Sequence, residues 1–334
     1  MQPAVHNPEE LPLVEVLTTG GTIASTPRNG QLVAQESADQ LVAGLDISGV
    51  GVRAREITRV GSYSMNEAEL RLVAAAAVDA AAREVAGVVV THGTDVMEET
   101  AFLTDLVHAA AAPVVFCGAQ RAASAPDADG PRNLRDAIVL AADPASRGLG
   151  AVICMAGRAW PARFAAKTHS LALDAFSAPS AGPVADLSDG EVRPLGRPPR
   201  PPGFARECLD HPLPYVAIVP CWAGAGGELM RAAAAAGARG VVVDGFGSGN
   251  VPPAIADAAV ELRGADVAVL VVSRCGAGPT SPRYGGPGGG ATLARAGIDF
   301  GGSLKAPQAR ILLALALAAA GSAEGAAKLV AGHA

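Results

Sequence analysis

Two α/β domains, each built on a parallel sheet, are the fold class that this sequence predicts. Three observations lead there. Short β-branched runs end in polar or glycine-rich elbows and pass into helical patterns, the rhythm of strand–helix crossovers. Val88-Val89-Val90 is the clearest of these runs, because an uninterrupted apolar stretch suits a strand buried on both faces. The rhythm then breaks over residues 191–203, where Pro194, Pro198, Pro199, Pro201 and Pro202 stand among basic residues, a linker composition. It resumes at Tyr215. The expected division is an N-terminal α/β domain over 1–190, a Pro-rich linker over 191–213 and a C-terminal α/β domain over 214–334.

Composition narrows the function. A chain of 334 residues, half of them hydrophobic and 17% charged, has ample material for a core. The 40 glycines and 25 prolines alternate with apolar segments, which argues against disorder. A net charge of −6 with no long basic run speaks against a nucleic-acid partner. The longest apolar stretch, Ile311–Ala320, is too short for a bilayer, so no membrane is expected. Residues 1–12 lack the basic and apolar regions of a secretory signal. The five cysteines, Cys117, Cys154, Cys208, Cys221 and Cys275, are scattered and odd in number, with no C-x-x-C pair. They suggest neither zinc nor a disulfide framework, and a reducing cytoplasm is the expected compartment.

Taken in order, Leu13–Thr19 reads as the first strand, running into Gly20-Gly21-Thr22-Ile23-Ala24. The paired glycines let backbone approach a ligand closely, but neither a dinucleotide fingerprint nor a P-loop lysine follows. Residues 25–36 read as a loop or lid and Ser37–Leu45 as a short helix. A strand over Val52–Val60 leads to the elbow Gly61-Ser62-Tyr63, and Asn66 with Glu69 forms a capping box for a helix over Glu67–Val85. After Val88–Val90 comes the elbow Thr91-His92-Gly93-Thr94-Asp95. A hydroxyl beside a carboxylate at a strand's carboxyl end is a site candidate in a parallel sheet. Asp95 with Glu98 also reads, in isolation, as a plain D-x-x-E helix cap.

Further strands are expected at Pro113–Cys117 and Gly150–Ala156, with a helix over Gly130–Ala142 between them. Lys167 follows small residues and taken alone reads as a solvated lysine. In the second half, strands are expected at 215–220, 240–244 and 267–273, with helices near 227–237, 253–263 and 306–320. Two more elbows, Gly245–Asn250 and the Gly- and Pro-rich stretch 273–290 around Tyr284, admit a reading as turn chemistry alone.

Together these elbows resemble the bacterial L-asparaginase and glutaminase-asparaginase family, the amidohydrolases with a threonine nucleophile. Thr19-Gly20-Gly21-Thr22-Ile23-Ala24 is the first match, and Thr91-His92-Gly93-Thr94-Asp95 with Met97–Thr100 the second. Supporting matches are Gly61-Ser62 with Met65-Asn66, Ala128–Pro131 with Asn133-Leu134, Lys167-Thr168, and Gly249-Asn250. The resemblance implies a larger flavodoxin-like N-terminal domain and a smaller C-terminal α/β domain. It implies Thr22 as nucleophile, Thr94, Asp95 and Lys167 as a second catalytic trio, and a homo-oligomer, dimer or tetramer, in which Asn250 completes a neighbour's site. Substrate contacts would come from Gly21, Ser62, Tyr63, Gly93, Thr94, Asp95 and Asn250. The substrate would be a small amino-acid amide, and no metal or cofactor would be needed.

The chemistry suits these residue types. A threonine hydroxyl is a weak nucleophile that needs a base or proton relay, which a neutral Lys167 would supply. Amides around Gly93-Thr94 would serve as an oxyanion hole. The sequence departs from the family pattern in three places. No tyrosine stands in residues 25–36, Tyr63 replaces the glutamine that often follows the elbow serine, and the acidic residue many members carry near the C-terminal elbow has no counterpart in 276–290. Hydrolysis of L-asparagine is the expected activity. The alternatives are glutamine or another amino-acid amide, and a non-catalytic amino-acid-binding protein on the same fold.

Overall fold

The computed structural model describes residues 11–28, 31–34, 38–43 and 47–333. The expectations about residues 1–10, and the parts of the lid and short-helix expectations on 29–30, 35–37 and 44–46, lie outside the described residues. The chain forms two compact units. One comprises Met1–Met97, His108–Ser177 and Pro183–Pro198, and the other Glu98–Val107, Ala178–Gly182 and Pro199–Ala334.

In the first unit the strands are β1 (Leu13–Gly20), β2 (Ser25–Arg28), β3 (Gln31–Ala34), β4 (Gly51–Val60), β5 (Gly87–Thr91), β6 (Val114–Cys117), β7 (Ala151–Met155), β8 (Arg158–Pro161), β9 (Ala166–Lys167), β10 (Phe176–Ser177), β11 (Ala185–Ser188) and β12 (Glu191–Pro194). The helices are α1 (Ala38–Val42), α2 (Glu67–Ala81), α3 (Met97–Val107, grouped from Glu98 onward with the second unit) and α4 (Gly130–Ala142). One eight-stranded sheet runs β12-β11-β8-β7-β6-β5-β1-β4. From β4 to β7 neighbouring strands are parallel, and from β7 to β12 they are antiparallel. Counting only the parallel strands in chain order gives 2-1-3-4-5, the flavodoxin-like arrangement, which reverses direction beside its first strand. Here that switch point lies between β1 and β5.

Burial explains the choice of residues. Every position of β5, β6 and β7 is buried, as continuous β-branched and apolar runs require. On one face Val14, Val16, Val89, Val115 and Val152 pack with Leu134, Ala137, Ile138 and Ala141 of α4. Asn66 caps α2 by accepting from the Glu69 N–H while the Glu69 carboxylate accepts from the Asn66 N–H. The helix stops at Ala81, short of the expected Val85. Residues 82–86 instead return the chain to the sheet, where the Ala86 N–H donates to the Leu13 carbonyl.

Two other expectations change. The described part of the supposed lid is a hairpin, β2 paired antiparallel with β3. Residues 191–194, expected in the linker, form the antiparallel edge strand β12 against β11.

The second unit carries β13 (Val216–Pro220), β14 (Gly240–Gly245), β15 (Ala268–Ser273) and β16 (Asp299–Phe300), with α5 (Glu228–Ala235), α6 (Pro253–Gly264), α7 (Gly290–Arg295), α8 (Ala306–Ala320) and α9 (Ala323–Ala331). Its sheet is wholly parallel, in the simple order β13-β14-β15-β16. Val241, Val243, Val269 and Val271 pack on one face with Met230, Ile255, Ala259 and Leu262. Gly321 ends α8 in the left-handed region at φ 73°, the usual way to stop a helix. Among the described residues no helix is long and apolar enough to cross a membrane.

Candidate active site

The carboxyl ends of β1 and β5 meet at the switch point, and two glycines decide how closely. Gly21 has φ +83°, and a Cβ there would lie 2.6 Å from the Gly93 nitrogen. A Cβ on Gly93 would in turn lie 2.5 Å from Ser62 Oγ. Both values are below any real carbon contact, so the elbows after β1, β4 and β5 touch backbone to backbone or backbone to serine only because these positions lack side chains. A buried bond from Thr19 Oγ1 to the Thr91 carbonyl, 2.9 Å, ties the two strands of the switch point together just below.

The polar groups follow from that contact. Ser62 Oγ accepts from the Asp95 N–H at 3.1 Å and donates to Asp95 Oδ2 at 3.5 Å. Lys167 arrives on the short hairpin β9–β10, where it pairs with Phe176. Its Nζ donates to Thr94 Oγ1 at 2.8 Å and to Asp95 Oδ1 at 3.1 Å. The lysine side chain is only 17% exposed, so the solvated-lysine reading fails: its ammonium stem is covered and its head is directed at two polar partners. Asp95 stands two residues ahead of α3, which begins at Met97, and its carboxylate faces Ser62 and Lys167. With that carboxylate side chain 52% exposed, the ion pair contributes at most about 1 kcal/mol to stability.

The remaining expected residues divide into two groups. Thr22 opens a 3₁₀ turn, Thr22–Ala24, directly after the Gly21 contact and is half-buried. Gly21, Ser62, Gly93, Thr94, Asp95 and Lys167 thus gather around one sheet edge. Tyr63 lies beside Ser62 but is 83% exposed, with its ring folded over Gly61. Asn250 belongs to the second unit, where its side-chain oxygen accepts from the Gly290 N–H at 3.0 Å.

Three supporting residues had no role in the sequence reading. Asp129 accepts from the Gln120 and Arg121 N–H groups and from Asn133 Nδ2, bracing the loop after β6. Asn133 donates to the Gly118 carbonyl and accepts from the Ala156 N–H, linking the loops after β6 and β7. Their signal was a pair of short polar residues in a motif otherwise read only for resemblance. His92, wholly buried, directs Nδ1 at the Gly93 carbonyl, 2.7 Å away. Burial pushes its pKa down to about 4, an effect partly offset by that hydrogen bond. Among the described residues no cluster of three or more His, Cys, Asp or Glu could hold a metal ion.

Comparison with known proteins agrees with this geometry. Residues 13–200 match the family described as Asparaginase, N-terminal, and residues 215–329 match the Glutaminase/Asparaginase C-terminal domain. The chain is 34% identical over 324 residues to a probable periplasmic L-asparaginase of Haemophilus influenzae, covering 94% of this chain and 91% of the relative. It is 32% identical over 323 residues to L-asparaginase 2 of Escherichia coli K12, covering 92% and 89%. With both family domains matched in order and the threonine, carboxylate and lysine gathered at one switch point, the chain belongs to the asparaginase family.

Proposed function

We propose that the protein is an amidohydrolase that converts L-asparagine to L-aspartate and ammonia through a threonine acyl-enzyme. The observation that carries this reading is the Lys167–Thr94–Asp95 relay, at 2.8 and 3.1 Å, set against the elbow that bears Thr22. Thr22 Oγ1 attacks the side-chain amide carbon, and the carbonyl oxygen gains negative charge. The N–H groups near Gly93-Thr94 stabilise that charge. Collapse breaks the C–N bond, the departing nitrogen takes up a proton and leaves as ammonia, and Thr22 holds an ester. Water then attacks the ester, releasing aspartate and restoring the hydroxyl.

Lys167 gives this sequence its proton route. In its neutral form the amine accepts a proton from Thr94 Oγ1 or from a water it orients. In its ammonium form it returns one along the same contact. The Asp95 carboxylate stabilises the ammonium while it exists. Ser62 and Asp95 are the proposed contacts for the substrate's carboxylate and amino groups, with Gly21, Gly93, Thr94 and Tyr63 lining the same edge. Asn250 is proposed to reach the site of a neighbouring subunit in a dimer or tetramer. The matched relatives bear the name L-asparaginase, which supports the amide specificity. The cysteine pattern supports a cytoplasmic location, although one of those relatives is named as periplasmic.

The test is ammonia release from L-asparagine, L-glutamine and other amino-acid amides. Wild type is expected to prefer asparagine, Thr22→Ala to lose activity on the order of 10⁴-fold, and Thr94→Val to fall steeply. Silence of the wild type on every amide would leave amino-acid binding as the function. Undiminished turnover by Thr22→Ala would remove Thr22 as nucleophile.

A further inference from the structure

His92 is wholly buried, yet no step of the proposed reaction uses it. Its Nδ1 lies 2.7 Å from the Gly93 carbonyl oxygen. A carbonyl oxygen can only accept, so Nδ1 must carry the proton in the neutral ring, and Nε2 is then the unprotonated nitrogen. Burial keeps the ring neutral well below physiological pH, with its pKa pushed down to about 4. The ring has little freedom to leave this position. Phe116 meets it edge-on at 6.1 Å between centroids, and the His92 N–H donates to the Cys117 carbonyl at 2.8 Å.

The Gly93 carbonyl is half of the Gly93–Thr94 peptide unit, and the other half is the Thr94 N–H. In a trans peptide the C=O and N–H point in opposite directions from one rigid plane. A donor that fixes the carbonyl therefore fixes the direction of the N–H. It also polarises the peptide, so the N–H becomes a stronger donor. Among the described residues no hydrogen-bond acceptor is recorded for the Thr94 N–H, in a residue that is 6% exposed. Gly93 has no side chain to hold this plane by packing, because Ser62 occupies that space.

We propose that His92 is a positioning residue: through its Nδ1–H it locks the Gly93–Thr94 peptide plane so that the Thr94 N–H is presented, already polarised, to the oxyanion of the tetrahedral intermediate. The proposal rests on the amide-hydrolysis reading. The oxyanion exists only during reaction, so the effect falls on turnover rather than on ground-state binding. The imidazole itself neither touches the substrate nor exchanges protons with it.

Two measurements test this. In wild-type protein near neutral pH, a ¹H–¹⁵N long-range correlation spectrum is expected to show His92 protonated at Nδ1 with Nε2 bare. The opposite tautomer would overturn the proposal, and this readout stands whatever the substrate proves to be. Steady-state kinetics then compare three variants. His92→Leu is expected to lose about tenfold in kcat, the scale of one hydrogen bond, with KM within about twofold. His92→Asn places an amide N–H at the δ position and is expected to recover kcat to within about threefold of wild type. His92→Gln, whose amide lies one bond further out, is expected to stay low. If Asn is no better than Gln, or if folded His92→Leu keeps wild-type kcat, the proposal fails. A wild type that releases no ammonia would refute the amide-hydrolysis reading instead, with the tautomer result unaffected.

Discussion

The two units of this protein have the same kind of sheet edge and use it differently. Each presents the carboxyl ends of parallel strands, and each follows those strands with glycine-rich elbows. In the first unit the strand order reverses between β1 and β5, so the crossovers leave on opposite sides and the elbows there meet through Gly21 and Gly93. In the second unit the order is β13-β14-β15-β16 without reversal. The hydroxyl, carboxylate and lysine constellation is found in the first. The second has charged groups at its edge too, Asp244 with Arg274 and Lys305, and Cys221 adjoins them, but its strand order has no switch point. Elbow composition is thus shared, and strand order distinguishes the edge proposed to carry the chemistry.

That contrast can be broken by substitution. The largest expected effect within the relay is Lys167→Met, which removes the proton route and should lower kcat by about 10²–10⁴-fold, measured as ammonia release. A loss smaller than tenfold would separate the relay from the chemistry. Next comes Gly93→Ala. Its Cβ would meet Ser62 Oγ at 2.5 Å, and it is expected to cost about 1–3 kcal/mol in urea unfolding together with most of the activity. Unchanged stability and turnover would show that the elbows are not held by contact.

The third concerns a buried carboxylate on β1, the strand next to the sheet edge. Glu15 is 1% exposed and accepts from Arg53, Arg55 and Arg83. Burial pushes its pKa up, but the three guanidinium groups outweigh that and hold it below the usual carboxylate value. A depressed folded-state pKa contributes stability above the unfolded value and loses it as pH falls through the folded one. Glu15→Gln is therefore expected to cost about 2 kcal/mol at neutral pH, discounted for the half-exposed arginines. The difference from wild type should close as the solution is acidified below the ordinary glutamate range, and a gap that stays constant would sink this account. The smallest effect is expected at the second unit's edge. Asp244→Asn should keep kcat/KM within about threefold. Burial raises the Asp244 pKa, with Arg274 and Lys305 opposing, so this group costs stability once pH rises through its folded-state pKa. The same variant should therefore unfold at equal or higher urea than wild type at neutral pH.

Much of this was legible in the residues, for reasons that differ by element. The runs at β5, β6, β14 and β15 are uninterrupted, apolar and rich in valine, and the Asn66–Glu69 capping box is a local device, so both announce themselves. Lys167 did not. Its hairpin has strands of two residues each, too short for any periodicity, and only the family resemblance distinguished it from a surface lysine. The short elements β16 and α7 escaped notice for the same reason. The D-x-x-E pattern at Asp95 is local and easily read, but its partners Ser62 and Lys167 are 33 and 72 residues away in sequence, a distance no local pattern encodes. Strand order, which distinguishes the proposed active edge, is likewise a long-range property.

The contact between Gly21 and Gly93 also governs how the site can move. Two loops joined through bare backbone, with a buried threonine bridge beneath them, cannot breathe separately. Amide hydrogens in both should exchange with solvent on one shared timescale, as a single cooperative opening. The floor on which the two threonines stand should therefore keep its shape as one unit.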